Sequence, residues 1–303
     1  QPRQVSNTLP RRQITYPSWD GEPIDIVTLG DSFSSGGGGG ENNYYQDWLA
    51  THHDLNVMAL PRLSSGLSNI ETVHLLLNSG FLDVLAPKAI LLEDIGREVV
   101  KKHGRKINTG LKWPIAKIEE VFASEQKSRI PTYQFLNSGN LKFLINQALY
   151  LLDDNALASQ VYRTELKQPF FSGVSGTTLL FHVEDFENAV LVQAPAVGFV
   201  VRNLNDLTQR LSSRDIELYY MPAVDKLDLY QDQIQESVYP ENKLFEILRT
   251  YPRSFNLVDT KAILRPAVEA GEKDIYYRDD THWTWKACER IAQAFSIGTS
   301  PNR

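Results

Sequence analysis

Ile24-Asp25-Ile26-Val27-Thr28-Leu29-Gly30-Asp31-Ser32-Phe33-Ser34-Ser35 is the stretch on which the fold turns. An apolar, β-branched run that stops at Gly-Asp-Ser predicts a buried strand over 24–29. Ser32 then sits at its carboxyl end, where open α/β sheets gather their reactive groups. Gly30 permits a sharp turn, and Ser32 is expected near the amino end of the next helical segment, whose N–H groups and dipole stabilise the negative charge of an acyl-transfer intermediate. The plainer alternative is a serine that merely caps a helix.

A serine nucleophile needs a base, and the candidate stands at the far end of the chain in Asp279-Asp280-Thr281-His282-Trp283. A carboxylate two residues before an imidazole can turn back onto Nδ1. It then fixes the tautomer and stabilises the imidazolium formed when Nε2 takes the serine proton. Asp280 is the first choice for that carboxylate and Asp279 the alternative. The plainer alternative here makes Asp279 or Asp280 the N-cap of a last helix that starts near His282 and runs to Phe295.

Between these ends the pattern is mostly α/β. Residues 1–23, with four prolines, are expected to form an extended arm over the surface, ahead of one α/β domain over 24–303. Five consecutive glycines, Gly36 to Gly40, predict a mobile or tightly turned loop at the rim of the cleft, and the absence of a following Gly-Lys-Ser/Thr argues against a phosphate cradle. Helices are expected over 44–53 and from Ser68 or Asn69 onward, with strands over 55–60 and 88–93. Three strand-turn-helix units in succession predict a parallel sheet covered on both faces.

An insertion is expected at about 98–186, with helices over 115–124 and 141–153 and an antiparallel hairpin of 160–166 with 178–183. The α/β rhythm returns with a short strand over 189–193, a helix over 197–211, strands over 216–221 and 255–258, and a helix around 244–248.

Among 303 residues, 42% hydrophobic and 22% charged, the formal charge of −6 leaves no basic cluster dense enough for a nucleic-acid partner. No segment reaches the length of a membrane span. Gln1 is not an initiator, and the chain is expected to have lost a signal peptide or membrane anchor. The single Cys288, in a helical pattern, reads as core. His52, His53, His74, His103 and His182 lack metal-ligand spacing, so neither metal nor cofactor is expected. Glu93 and Asp94, adjacent on a strand, point to opposite faces and do not form an acid–base pair. Trp48, Trp113, Tyr133, Trp283 and Trp285 read mostly as core; any exposed near the cleft can stack on sugar rings.

Together, Gly30-Asp31-Ser32-Phe33-Ser34 and Asp280-Thr281-His282-Trp283 resemble the nucleophile and acid–base blocks of the SGNH/GDSL hydrolase superfamily. The Asp-Thr-His-Trp form is most similar to the alginate O-acetyltransferase branch. The resemblance spans 24–97 and 214–296 and implies a three-layer flavodoxin-like α/β fold, a Ser32/His282/Asp280 triad and an acyl-serine intermediate. It further implies an O-acetyltransferase acting on a cell-surface or exported polysaccharide, in the periplasm or outside the cell, with a membrane protein as acyl donor. A carbohydrate O-acetylesterase with the same triad and a non-catalytic carbohydrate-binding or assembly subunit are the alternatives.

Two departures stand out. In the alginate enzymes the Asp-x-His block precedes the serine block, whereas here it follows. Where an SGNH enzyme carries Gly-x-Asn-Asp, this chain has Glu93-Asp94-Ile95-Gly96-Arg97, so oxyanion donors are sought in the Ser32 N–H, Gly66, Asn69 and Arg97.

Overall fold

The computed structural model describes residues 8–40, 42–124, 160–173 and 175–298. Its strands are β1 (Ile14–Thr15), β2 (Ile26–Leu29), β3 (Val57–Leu60), β4 (Ala89–Ile95), β5 (Val161–Glu165), β6 (Thr178–His182), β7 (Glu217–Ala223) and β8 (Asn256–Leu257). The helices are α1 (Tyr45–His53), α2 (Asn69–Ser79), α3 (Phe81–Leu85), α4 (Gly96–His103), α5 (Ile115–Ser124), α6 (Glu184–Glu187), α7 (Ala194–Ser212), α8 (Lys226–Tyr230), α9 (Leu244–Thr250), α10 (Thr260–Glu269) and α11 (Trp285–Ala294).

Six strands form one sheet in the order β1-β3-β2-β4-β7-β8, and every pairing is parallel. Without the arm strand β1, the order is the flavodoxin-like 2-1-3-4-5. Every residue of β2 and β4 is buried, as a parallel sheet covered on both faces requires. Helix α11 packs against both α1 and α10, and α2, α4 and α9 pack against α7. The order reverses between β2 and β4, and Ser32 follows the carboxyl end of β2 at that reversal.

Several expectations needed correction. The arm over 1–23 is not merely laid over the surface: Ile14 and Thr15 pair with Met58 and Ala59 and extend the sheet by a strand. The segment at 189–193 is a 3-10 turn, Asn188–Leu191, rather than a strand. β7 runs through Pro222 instead of stopping before it. The last β8 partner is Leu257, opposite Tyr220, and the Pro222 carbonyl takes the Thr260 hydroxyl at 2.6 Å, so the missing N–H removes no ladder bond. Helices α3, α4, α6, α8 and α10 were not foreseen. The helix expected over 141–153 lies outside the described residues. β5 and β6 do pair antiparallel as the hairpin, and no helix among the described residues is long and apolar enough to cross a membrane.

Local chemistry explains the better-defined ends. Ser68 accepts from the Glu71 N–H at 3.2 Å while Glu71 accepts from the Ser68 N–H at 3.0 Å, a reciprocal cap, and Gly80 at φ 77° closes the other end of α2. Replacing Ser68 by alanine is expected to lower the unfolding free energy by about 1 kcal/mol, measured by urea titration; an unchanged midpoint would show that the cap contributes nothing.

Candidate active site

Ser32 follows β2 in a succession of turns, with no regular helix among the described residues until Tyr45, so a helix N-terminus directly behind the serine is not what the fold provides. The turn is instead fixed by two carboxylates. Glu93, at the end of β4, accepts through Oε2 from the Asp31 N–H (3.0 Å), the Ser34 N–H (3.2 Å) and the Ser34 hydroxyl (2.8 Å). Asp31 accepts from the Phe33 N–H at 3.3 Å and from the Ile95 N–H at 2.8 Å. Glu93 is fully buried. Burial, and then the charges of Asp31 and Asp94, push its pKa well above the carboxylate range and favour the neutral form. Gly30 is obligatory above it, because a Cβ there would stand 2.4 Å from Glu93 Oε2 and 2.0 Å from Ser34 Oγ.

The other end of the chain meets this turn. His282 Nε2 lies 2.7 Å from Ser32 Oγ, and Nδ1 lies 2.5 Å from Asp280 Oδ1, which also accepts the His282 N–H at 3.0 Å. Asp280, rather than Asp279, therefore orients the imidazole. Neither aspartate caps the last helix: α11 starts at Trp285 with Thr284 as its cap, and His282 precedes it on a loop. The imidazole packs on Phe33 with ring centroids 4.7 Å apart, and Phe33 in turn meets the edge of buried Trp283 at 4.5 Å. Ser32 itself is exposed.

The glycine run is part of this packing rather than a flexible rim. A Cβ on Gly37 would stand 2.2 Å from His282 Nε2, and one on Gly38 would stand 2.7 Å from the Tyr277 ring. Gly36, Gly38, Gly39 and Gly40 all have positive φ. The Asn43 amide holds the Gly37 carbonyl, and the Tyr277 hydroxyl holds that of Gly39 at 2.8 Å.

The remaining sequence candidates are occupied elsewhere. Both N–H bonds of the Asn69 amide are used, one on the Glu93 carbonyl (2.9 Å) and one on Asp94 Oδ1 (2.8 Å). Arg97 is held by Asp185 (3.1 Å) and Asp225 (3.3 Å). The Gly66 N–H donates to Ser64 Oγ at 3.2 Å. The Ser32 N–H makes no hydrogen bond among the described residues. Asp94, on the opposite face from Glu93, bonds buried His103 at 2.9 Å.

Residues 180–297 match the SGNH hydrolase-like domain of acetyltransferase AlgX. This part of the chain is AlgX-like. It contains Asp280 and His282, whereas Ser32 lies outside it. No protein in the curated set matches the chain. The match agrees with the three-layer sheet and supports an acetyltransferase or hydrolase type of enzyme.

Lys226, which the sequence reading passed over, organises the loop of the AlgX-like stretch that carries Asp280 and His282. Its buried Nζ donates to the carbonyls of Tyr277 (2.6 Å), Arg278 (2.9 Å) and Asp280 (2.9 Å), using all three protons of an ammonium. The available signal was a lysine in the mixed run Val224-Asp225-Lys226-Leu227 just after a strand. Burial lowers its pKa from 10.5 to about 7, against the pull of Asp185, Asp280 and Asp279.

Between those two pH values the unfolded chain still binds the proton that the folded chain has released. Stability contributed by this group therefore rises from about pH 7 toward 10.5 and is lost as pH falls through about 7. Lys226→Met removes the dependence. Urea titrations of both proteins at pH 7 and 9 should show the difference in unfolding free energy drifting by on the order of 1 kcal/mol per pH unit, and parallel pH profiles would refute it.

Proposed function

We propose that the protein is a serine-dependent acyl-transfer enzyme, an O-acetyltransferase acting on an exported polysaccharide. The observation that carries this reading is the unbroken chain Ser32 Oγ, His282 Nε2, His282 Nδ1, Asp280 Oδ1, assembled from opposite ends of the sequence. The AlgX match supports the acetyl chemistry, and the resemblance of Asp280-Thr281-His282-Trp283 to the alginate O-acetyltransferase branch is what favours a carbohydrate target outside the cytoplasm.

In the reaction, Ser32 Oγ attacks the carbonyl carbon of the acetyl donor while its proton passes to Nε2. Asp280 stabilises the imidazolium through Nδ1–H. The oxyanion accepts the Ser32 N–H. Collapse breaks the bond to the donor's leaving group, which takes the proton from Nε2 and leaves acetyl-Ser32. An acceptor hydroxyl then gives its proton to Nε2 as its oxygen attacks the acetyl carbon, and collapse returns the proton to Ser32. Water in place of the acceptor makes the same site an acetylesterase, and the exposure of Ser32 favours keeping that second reading.

The test is turnover of p-nitrophenyl acetate, with oligosaccharide acceptors added and acetylated product sought by mass. Ser32→Ala is expected to remove turnover and labelling by a sulfonyl fluoride, and Asp280→Asn to reduce kcat roughly 10³- to 10⁴-fold. Undiminished turnover in Ser32→Ala would sink the proposal by showing that Ser32 is not the nucleophile, and none in the wild type would sink it and leave a binding subunit.

Gly37→Ala gives a separate check on geometry. The new methyl displaces the His282 ring from Ser32, so kcat should fall roughly a hundredfold with the fold intact by circular dichroism. An alanine variant with wild-type kcat would mean that the ring does not work from this position.

A further inference from the structure

A run of glycines loses more conformational entropy on folding than any other run, so a well-formed one needs anchors. Here the Gly37 N–H donates to the Ser32 carbonyl at 2.7 Å, the Asn43 side-chain amide donates to the Gly37 carbonyl, and the Tyr277 hydroxyl reaches the Gly39 carbonyl at 2.8 Å. That hydroxyl also lies 3.2 Å from Asn43 Oδ1. The orientation of the Asn43 amide follows from its neighbours, since its nitrogen faces a carbonyl and its oxygen a hydroxyl.

Asn43 and Tyr277 are each only 1% exposed, and both are themselves held. The Asn43 carbonyl accepts from Cys288 Sγ of α11 at 3.4 Å, and the Asn42 carbonyl takes the indole N–H of buried Trp48 on α1 at 2.8 Å. The Tyr277 N–H donates to the His282 carbonyl at 3.1 Å, and the Tyr277 carbonyl accepts from Lys226 Nζ at 2.6 Å. One pair of side chains thus joins the packed helices α1 and α11, the loop of His282 and the glycine run. The run passes that constraint to the base, because a Cβ on Gly37 would stand 2.2 Å from Nε2 and 2.3 Å from Cδ2 of the imidazole. With Phe33 also packed on the ring, a shift of the run is a shift of the wall against which Nε2 rests.

We infer that Asn43 and Tyr277 are positioning residues for the base: they clamp the glycine run against His282 and so hold Nε2 on Ser32. Both act through the run and the loop rather than on the substrate, and both lie outside the two motifs that carry the triad. The kinetic consequence rests on the acyl-transfer reading, whereas the structural one rests on the geometry alone.

The test uses the full chain carrying Asn43→Ala, Tyr277→Phe or both. With p-nitrophenyl acetate, Asn43→Ala is expected to lower kcat roughly tenfold to a hundredfold and Tyr277→Phe about threefold to tenfold, each at unchanged KM. Because the two side chains secure one loop, the double variant should lose no more than Asn43→Ala alone, where independent contributions would multiply. Tyr277→Phe keeps the ring against Gly38, so it reports even if Asn43→Ala fails to fold. A second readout needs no turnover. The low-field proton resonance of the His282 Nδ1–H bond to Asp280, assigned by its absence in Asp280→Asn, should exchange faster with water in both variants. Wild-type kcat in Tyr277→Phe, effects that multiply, or a resonance unchanged in both variants overturns the inference. A wild-type protein that shows the resonance and its response but never turns over p-nitrophenyl acetate retires the acyl-transfer reading and keeps the clamp. Turnover with an unresponsive resonance does the reverse.

Discussion

The turn after β2 is closed from both sides, and that closure constrains the rest of the molecule. Below it, Glu93 gathers two N–H groups and a hydroxyl onto one carboxylate oxygen. Above it, the His282 ring occupies the space that a side chain on Gly37 would need. Gly30 and Gly37 are therefore set by neighbours that arrive from β4 and from the end of the chain. A buried carboxyl is tolerable there because its neutral form still accepts from the surrounding N–H groups, and the polar backbone of an irregular turn would otherwise go unsatisfied.

Much of the α/β core was legible in the sequence because its signals are local. The β2 run ends at a Gly-Asp-Ser turn, α2 announces itself by its Ser68 cap, and α7 by apolar residues at helical spacing. Asp280 and His282 could be paired because two residues of chain separate them. What escaped depends on distant partners. Gly37 looked like flexibility, since nothing nearby says that an imidazole from position 282 fills its missing side chain. Asn69 and Arg97 looked available as donors until Asp94, Asp185 and Asp225 claimed them.

Two of the helices that escaped, α8 and α10, share a physical cause. α10 carries Pro266 in its interior and buries Lys261, whose ammonium bonds Asp228 at 2.7 Å and Glu246 at 2.9 Å. α8 buries Lys226 and Asp228. Hydrophobic periodicity treats such residues as solvent-facing, so a helix whose inner face includes satisfied ions loses its pattern. The same buried lysines tie the loop of His282 to α8, and α10 to α8 and α9, by hydrogen bonds, where apolar packing alone would fix them less specifically.

The arm strand has a consequence for the molecule's behaviour toward other chains. Without Ile14 and Thr15, the outer side of β3 would present a row of unpaired backbone groups, the template on which foreign strands add and aggregates grow. Two residues of β1 cover part of that row and leave an edge too short to recruit a partner. At the opposite margin β8 is also only two residues long. A sheet that is parallel, central and apolar is thereby bordered on each side by a stub, which keeps six strands in solution from becoming seven.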